Sequence, residues 1–197
     1  MKPILILVGP PGAGKGTQAR VLAEKLGIPT ISTGEIFRSE IEAETELGKL
    51  AASYINDGNL VPDEVTNQMV RNRLLQPDLE DGYFLDGYPR NIDQVHELDS
   101  ILAEAGVKLS GVIELSIPDE EIVSRLLHRA EVENREDDTE PVIRHRIEVY
   151  HAKTAPLLEL YLARGIVLSV DGTGTIEEVQ ERLAVELPAF LEKQLAE

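Results

Sequence analysis

The sequence predicts an α/β fold: five short parallel strands in one sheet, with helices covering both faces. Three observations predict it. Short apolar runs alternate with segments of helical periodicity along the whole chain. The first run leads into a glycine-rich turn and then an amphipathic helix. Residues suited to ligand chemistry follow strands one, three and five, so they fall on the carboxyl edge where such sheets bind ligands.

The first element carries the most information. Ile4-Leu5-Ile6-Leu7-Val8 is a branched apolar run suited to a strand buried on both faces. Gly9 to Thr17 follow as Gly-Pro-Pro-Gly-Ala-Gly-Lys-Gly-Thr, in which Gly9, Gly14 and Lys15 fit G-x-x-x-x-G-K. In that pattern successive backbone N–H groups and the positive end of the next helix converge on a polyphosphate, and the lysine adds an ammonium. The position after the lysine is Gly16, and the hydroxyl comes one residue later at Thr17. A Mg²⁺ ion here would therefore take more of its shell from water and nucleotide oxygens.

The next elements follow in order. Gln18 to Leu26 has helical spacing and ends at Gly27-Ile28-Pro29, and Thr30-Ile31-Ser32 reads as a second strand. Thr33 is expected to cap a helix carrying Ile36, Phe37 and Ile41, with Arg38 on it. Gly48 to Tyr54 reads as a short helix closed by Asn56-Asp57-Gly58-Asn59, and another starts at Pro62 with Val65, Met69, Val70 and Leu74 inward. Residues 32–61 thus read as a small helical insert between core elements, either an ordinary helical connection or a mobile flap that holds a second substrate.

Gly82 to Arg90 is the second informative stretch. A short apolar run ending in Asp86 delivers a carboxylate beside the phosphate loop, where it serves Mg²⁺ directly or through water. Gly87 permits close backbone approach, and Pro89 stiffens the turn that presents Arg90.

Ile92 to Ala105 is a helix burying Val95, Leu98, Ile101 and Leu102, and Gly111 to Leu115 is the fourth strand. Pro118 opens a helix with Ile122, Val123, Leu126 and Leu127 as its inner stripe; Arg125 and Arg129, four apart, share one face. Residues 130–138 have almost nothing apolar to bury and read as an exposed loop. Pro141 to Tyr150 resumes a helix, so Arg125, Arg129 and Arg146 flank that loop and Arg135 lies within it. Pro156 kinks or restarts the helix, Ile166 to Val170 is the fifth strand, Asp171 to Thr175 is a turn, and the last helix from Ile176 buries Val179, Leu183 and Leu187.

Composition narrows the partners. The chain has 197 residues, enough for one well-packed domain, and no cysteine, so no disulfide and no thiolate metal site. Its four histidines (96, 128, 145 and 151) lack ligand spacing and read as surface or helix residues. With 36 acidic and 19 basic residues the formal net charge is −17, which repels nucleic acid and anionic membranes. Polyphosphates are repelled too unless the few arginines gather at one cleft. No apolar stretch is long enough to span a membrane, and Met1-Lys2-Pro3 runs directly into the first strand, so a cytoplasmic protein is expected. No large apolar surface is apparent in the pattern, and a monomer is expected.

Residues 9–17, Ser32-Thr-Gly-Glu-Ile-Phe-Arg38, Leu60-Val-Pro62, Asp86-Gly-Tyr-Pro-Arg90 with Gln94, Arg135-x-Asp-Asp138 and Arg146 together resemble the adenylate kinase family, end to end. The resemblance implies a three-layer α/β/α P-loop kinase with a core (1–31, 62–128, 141–197), a nucleoside-monophosphate-binding insert (32–61) and a short lid (129–140). The longer lid, often with four zinc-binding cysteines, is not present, so no structural zinc is expected. It further implies that Gly12, Ala13, Gly14, Lys15, Gly16, Thr17, Arg125, Arg129 and Gly174 bind ATP. Thr33, Arg38, Asn59, Leu60, Val61, Gly87, Tyr88, Pro89, Arg90, Gln94, Arg135 and Arg146 would bind AMP. Lys15, Arg38, Arg90, Arg129, Arg135 and Arg146 would act on the transferring group, and Asp86 would hold Mg²⁺ through water. Tyr88 stands where phenylalanine is as common, and Asn91 where Thr or Ser is usual.

The implied reaction needs no general base, because the acceptor is a phosphate oxygen already largely ionised at neutral pH. Catalysis then rests on alignment and on positive charge around the moving group. Three rivals share the loop, one of them a kinase of small hydroxyl substrates, which has no use for so many acceptor-side arginines. A kinase of UMP, CMP or GMP would differ in the base-reading residues, assigned by the resemblance to Thr33 and Gln94. A nucleotide-switched binding protein would need Asn-Lys-x-Asp, which does not occur.

Overall fold

The computed structural model describes residues 3–133 and 138–196. Its centre is strand β1 (Ile4–Val8), whose five residues are all buried. Strand periodicity sends them to opposite faces. Leu5 and Leu7 join one apolar cluster, while Ile4, Ile6 and Val8 join a second. This explains the unbroken apolar run: with both faces covered, no position is left for a polar residue.

β1 pairs in parallel with β3 (Tyr83–Asp86) on one side and β4 (Gly111–Ser116) on the other. β2 (Thr30–Ser32) and β5 (Val167–Asp171) complete the order β2-β3-β1-β4-β5. The expected parallel five-stranded sheet is therefore observed. Its register aligns Leu7 with Asp86 and Val8 with Glu114, so the loops after β1, β3 and β4 leave the sheet at one level.

Helices α1 (Lys15–Leu26), α6 (Asp119–Glu133), α7 (Glu140–Val149) and α9 (Ile176–Ala196) contribute Leu22, Ile122, Leu126, Ile143, Ile147, Val179, Leu183 and Leu187 to the first cluster. Helices α4 (Asp63–Leu74), α5 (Ile92–Glu104) and α8 (Pro156–Ala163) contribute Val70, Val95, Leu98, Leu102, Leu157 and Tyr161 to the second. A third, smaller cluster of Phe37, Ala51 and Val61 binds α2 (Thr33–Glu42) to α3 (Glu46–Ile55). Those two helices pack so closely that a Cβ on Gly48 would lie 2.0 Å from the carbonyl oxygen of Glu40.

Several local expectations change. α1 begins at Lys15 rather than Gln18, with Gly14 as its left-handed N-cap at φ 83°. Ser32, not Thr33, caps α2: its hydroxyl accepts from the N–H of Glu35. Thr33 lies inside the first turn, and its hydroxyl is drawn to the Gly87 carbonyl instead. α3 starts at Glu46, two residues before Gly48, because the Thr45 hydroxyl caps it by accepting from Gly48 N–H. Leu127 is 38% exposed and leaves the inner stripe of α6 to Ile122, Val123 and Leu126. Pro156 does restart the helix, after a π-helical turn at Tyr150–Thr154 in which Ala155 N–H reaches back to Tyr150 O.

Candidate functional site

The site forms where the loop after β1 meets the start of α1. Residues of this loop line one side of a cleft of about 600 Å³. The loop is held by packing, since Gly12 lies against Leu126 of α6 closely enough that a Cβ would come within 2.8 Å. Lys15 Nζ donates to the carbonyls of Gly9 and Pro10, both at 2.8 Å, which curls the side chain back over the loop. Withdrawal from water lowers its pKa to about 8. Asp86 pulls the other way, while Arg90, Arg146 and Arg129 reinforce the lowering. One ammonium thus senses a carboxylate from β3 and arginines from three separate segments.

The turn after β3 supplies the opposite side. Gly87 has φ 79°, and a Cβ there would meet the Thr33 hydroxyl at 2.7 Å, so only glycine permits both the bend and the contact. Tyr88-Pro89 is a cis peptide. Arg90 Nε donates to Gly87 O at 2.8 Å, its carbonyl accepts from the Thr154 hydroxyl at 2.8 Å, and burial lowers its pKa. Its N–H donates to Gln94 Oε1 at 2.7 Å. Asp86 lies near Gly16, with Oδ2 3.6 Å from where a Cβ would stand; an alanine there would fill part of the space between loop and carboxylate.

Arg125 and Arg129 on α6 and Arg146 on α7 close the third side. Arg125 Nη2 is held by Glu121 at 2.5 Å and by the carbonyls of Gly172 and Gly174 at 3.1 and 3.0 Å. Arg129 Nε donates to Asp138 Oδ2 at 2.7 Å, and Arg146 Nη1 to Oδ1 of the same carboxylate at 2.6 Å. The Asp138 side chain is fully buried.

Most expected site residues share this cleft. Gly12, Gly14, Lys15, Gly16, Thr17, Thr33, Arg38, Asn59, Leu60, Val61, Asp86, Gly87, Pro89, Arg90, Gln94, Arg125, Arg129 and Arg146 all line it. Ala13 and Gly174 instead line an adjoining cavity of about 300 Å³, which shares Gly12, Gly14, Thr17 and Arg125 with the main cleft. Tyr88 is the exception: it is 1% exposed, its hydroxyl donates to Asn67, and it supports the turn from below. Arg135 lies outside the described residues, as does part of the expected lid.

Three residues hold site side chains in ways that sequence reading does not assign. Asp138 closes the motif Arg135-x-Asp-Asp138 within a polar tract, and nothing in its spacing marks it as the shared anchor of Arg129 and Arg146. Asp63 and Asn91 sit behind Gln94 and hold it, as described below. The departure of Asn91 from Thr or Ser was the one available signal.

Among the described residues no cluster of three His, Cys, Asp or Glu could hold a metal, and no helix is long and apolar enough to cross a membrane. A Mg²⁺ ion suits this donor set only as part of a nucleotide complex, with Asp86 near it and phosphate and water oxygens completing the shell.

Residues 7–166 match the family model described as adenylate kinase. Similar curated proteins carry the same name. One from Micrococcus luteus is 57% identical over 91% of this chain and 87% of its own length. Another from Kocuria rhizophila is 55% identical over 93% and 97%, and a third from Thermobifida fusca is 54% identical over 90% and 94%.

Proposed function

The chain belongs to the adenylate kinase family, and we propose that its reaction, ATP + AMP = 2 ADP, runs in the cleft around Lys15. The observation that carries this reading is the convergence of Lys15, Arg90, Arg129 and Arg146 on one cavity in a protein of formal net charge −17. Such a concentration of cations against the overall charge suits two polyanions brought face to face.

The roles follow from position. The N–H groups of residues 12–17 and the ammonium of Lys15 hold the β- and γ-phosphates of ATP, and Arg125 with Gly174 flanks the donor nucleotide. Thr33, residues 59–61, residues 87–90 and Gln94 hold AMP, with Arg38 and Arg90 on its phosphate. Tyr88 serves from beneath. Arg129 and Arg146 face the transferring group, where arginine forks match phosphate oxygens and neutralise charge as the bond to the leaving ADP lengthens. Arg135 completes this set. Mg²⁺, bound with ATP, neutralises phosphate charge beside Asp86.

Residues 32–61 act as the acceptor flap, and residues 129–140 as a short lid. In support, α2 and α3 have a small core of their own, and Asp138 ties α6 to α7 across the lid segment. Closing the two expels water, which prevents transfer to solvent and strengthens each arginine contact. A monomer in the cytoplasm, where its nucleotides reside, fits this reading.

The test is product analysis. With Mg²⁺ and ADP as sole nucleotide, the purified protein should yield ATP and AMP in equal amounts. With ATP it should prefer AMP over CMP, UMP and GMP. Transfer to a different monophosphate only would retain the mechanism and overturn the acceptor assignment.

A further inference from the structure

The hydrogen bonds around Gln94 fix more than its position. The side chain is 2% exposed and lines the cleft. Its Oε1 accepts from Arg90 N–H at 2.7 Å, and its Nε2 donates to Asp63 Oδ1 at 2.7 Å. Asn91 braces the carboxylate, with Nδ2 at 2.9 and 3.0 Å from the two Asp63 oxygens, while Asn91 Oδ1 accepts from Gln94 N–H at 2.9 Å. Asp63 and Asn91 are not among the residues lining the cleft.

The two ends of an amide are nearly identical in shape, and only the neighbours decide which way it points. A carboxylate accepts and does not donate, so it must face the nitrogen. We propose that Asp63 is a positioning residue for acceptor specificity: it locks the orientation of the Gln94 amide and so selects a 6-amino purine over a 6-oxo purine. This rests on Gln94 being the residue that faces the acceptor base.

Each end of the locked amide keeps one capacity unused, a second N–H and a second oxygen lone pair. Adenine offers a donor at its 6-amino group beside an acceptor at N1. Hypoxanthine and guanine exchange the two, with an acceptor at O6 beside a donor at N1. An amide free to turn over by 180° suits either arrangement, whereas a locked one leaves like groups opposed on the wrong base.

The experiment compares kcat/KM for AMP and inosine monophosphate, which differ only in this exchange, at saturating ATP. In Asp63→Asn, nearly identical in shape, one oxygen becomes an NH2 that opposes the donor of Asn91 or, turned over, that of Gln94 as well, so the bracing of the Gln94 amide is lost; the AMP-to-IMP ratio should fall about tenfold or more. Asp63→Ala should fall at least as far, and in both variants KM for ATP should hold. Asn91→Asp added to Asp63→Asn should restore the ratio. The amide then at position 63 accepts from Gln94 and donates to the carboxylate at position 91, which still accepts from Gln94 N–H. An unchanged ratio in Asp63→Asn, a proportional loss with both acceptors, or failure of the double exchange to restore the ratio overturns the proposal. Gln94→Ala separates the two claims. If it abolishes the preference while the Asp63 variants keep it, Gln94 reads the base and Asp63 does not orient it. If Gln94→Ala keeps the preference, the base-facing assignment itself fails.

Discussion

Arg146 Nη1 lies 2.6 Å from Oδ1 of Asp138, a carboxylate with no exposed surface. Its other oxygen takes Arg129, so one buried anion fixes two cations that line the cleft. The pairing spends one negative charge near a site that must attract anions. In exchange it holds two long side chains from α6 and α7 in place before substrate arrives, which lowers the ordering cost of binding.

Asp138→Ala should therefore damage catalysis more than stability. The arginines are 27% and 21% exposed and can turn to water, so the fold should lose about 1–3 kcal/mol, less than for a fully enclosed pair. At roughly 2–4 °C per kcal/mol for a chain of this size, the melting temperature should drop by several degrees. Turnover should fall by about a hundredfold, the scale of misplacing charge-stabilising donors. Calorimetry and steady-state kinetics on the same preparation separate the two effects, and a turnover near wild type would remove the anchoring role.

Lys15 supplies a pH signature. Its free-enzyme pKa of about 8 lies below the ordinary 10.5, so the ammonium is lost as pH rises through 8. The phosphates bind the charged form, and a bound polyphosphate restores the higher value. ATP affinity should thus be level below pH 7.5 and weaken about tenfold between pH 7 and pH 9. Lys15→Met should bind more weakly at pH 7 with that slope abolished, and should turn over at least about a hundred times more slowly with the fold intact. Titration calorimetry across the pH range reads both; an equal slope in the variant would assign the titration elsewhere.

Arg90→Lys keeps the charge and removes the fork. Nε is already committed to Gly87 O at 2.8 Å, so the arginine spans the turn and the cleft at once, which a single ammonium cannot do. Activity should fall by about two orders of magnitude, with KM for AMP raised and KM for ATP little changed. Wild-type kinetics would take Arg90 out of the site.

Gly48→Ala tests the proposed acceptor flap without touching a lining residue. The added Cβ would stand 2.0 Å from Glu40 O and 2.6 Å from Ile41 N, both backbone atoms, so α2 and α3 must separate. The Phe37–Ala51–Val61 cluster loosens, and with it Arg38 and residues 59–61. KM for AMP should rise about tenfold and ATP binding should persist, for a site displaced by an ångström or so. Equal KM values for AMP in the two proteins would show that the flap tolerates the shift.

The legible part of this protein was the part written in local rules. An apolar run at β1 with glycines and a lysine at fixed offsets prescribes a strand, a loop and a helix start through backbone chemistry alone. Short buried strands alternating with helices prescribe a parallel sheet, and Asp86 and Gly87 then fall at its carboxyl edge. The Thr33 cap was misassigned because Ser32 and Thr33 are both good caps in sequence, and only the nearby Gly87 carbonyl distinguishes them. Leu127 was misassigned because helical periodicity defines a stripe but not its width.

Fold class, phosphate loop and the supply of arginines were therefore settled by residue order, since each depends on neighbours within a few positions or on a repeat. Which carboxylate restrains which side chain was settled only by folding. Asp138 meets Arg129 and Arg146 from nine and eight positions away between α6 and α7, and Asp63 meets Gln94 across thirty-one. Hydrogen bonds have a reach of about 3 Å and no sequence period, so partners like these become visible only when packing has brought their helices together.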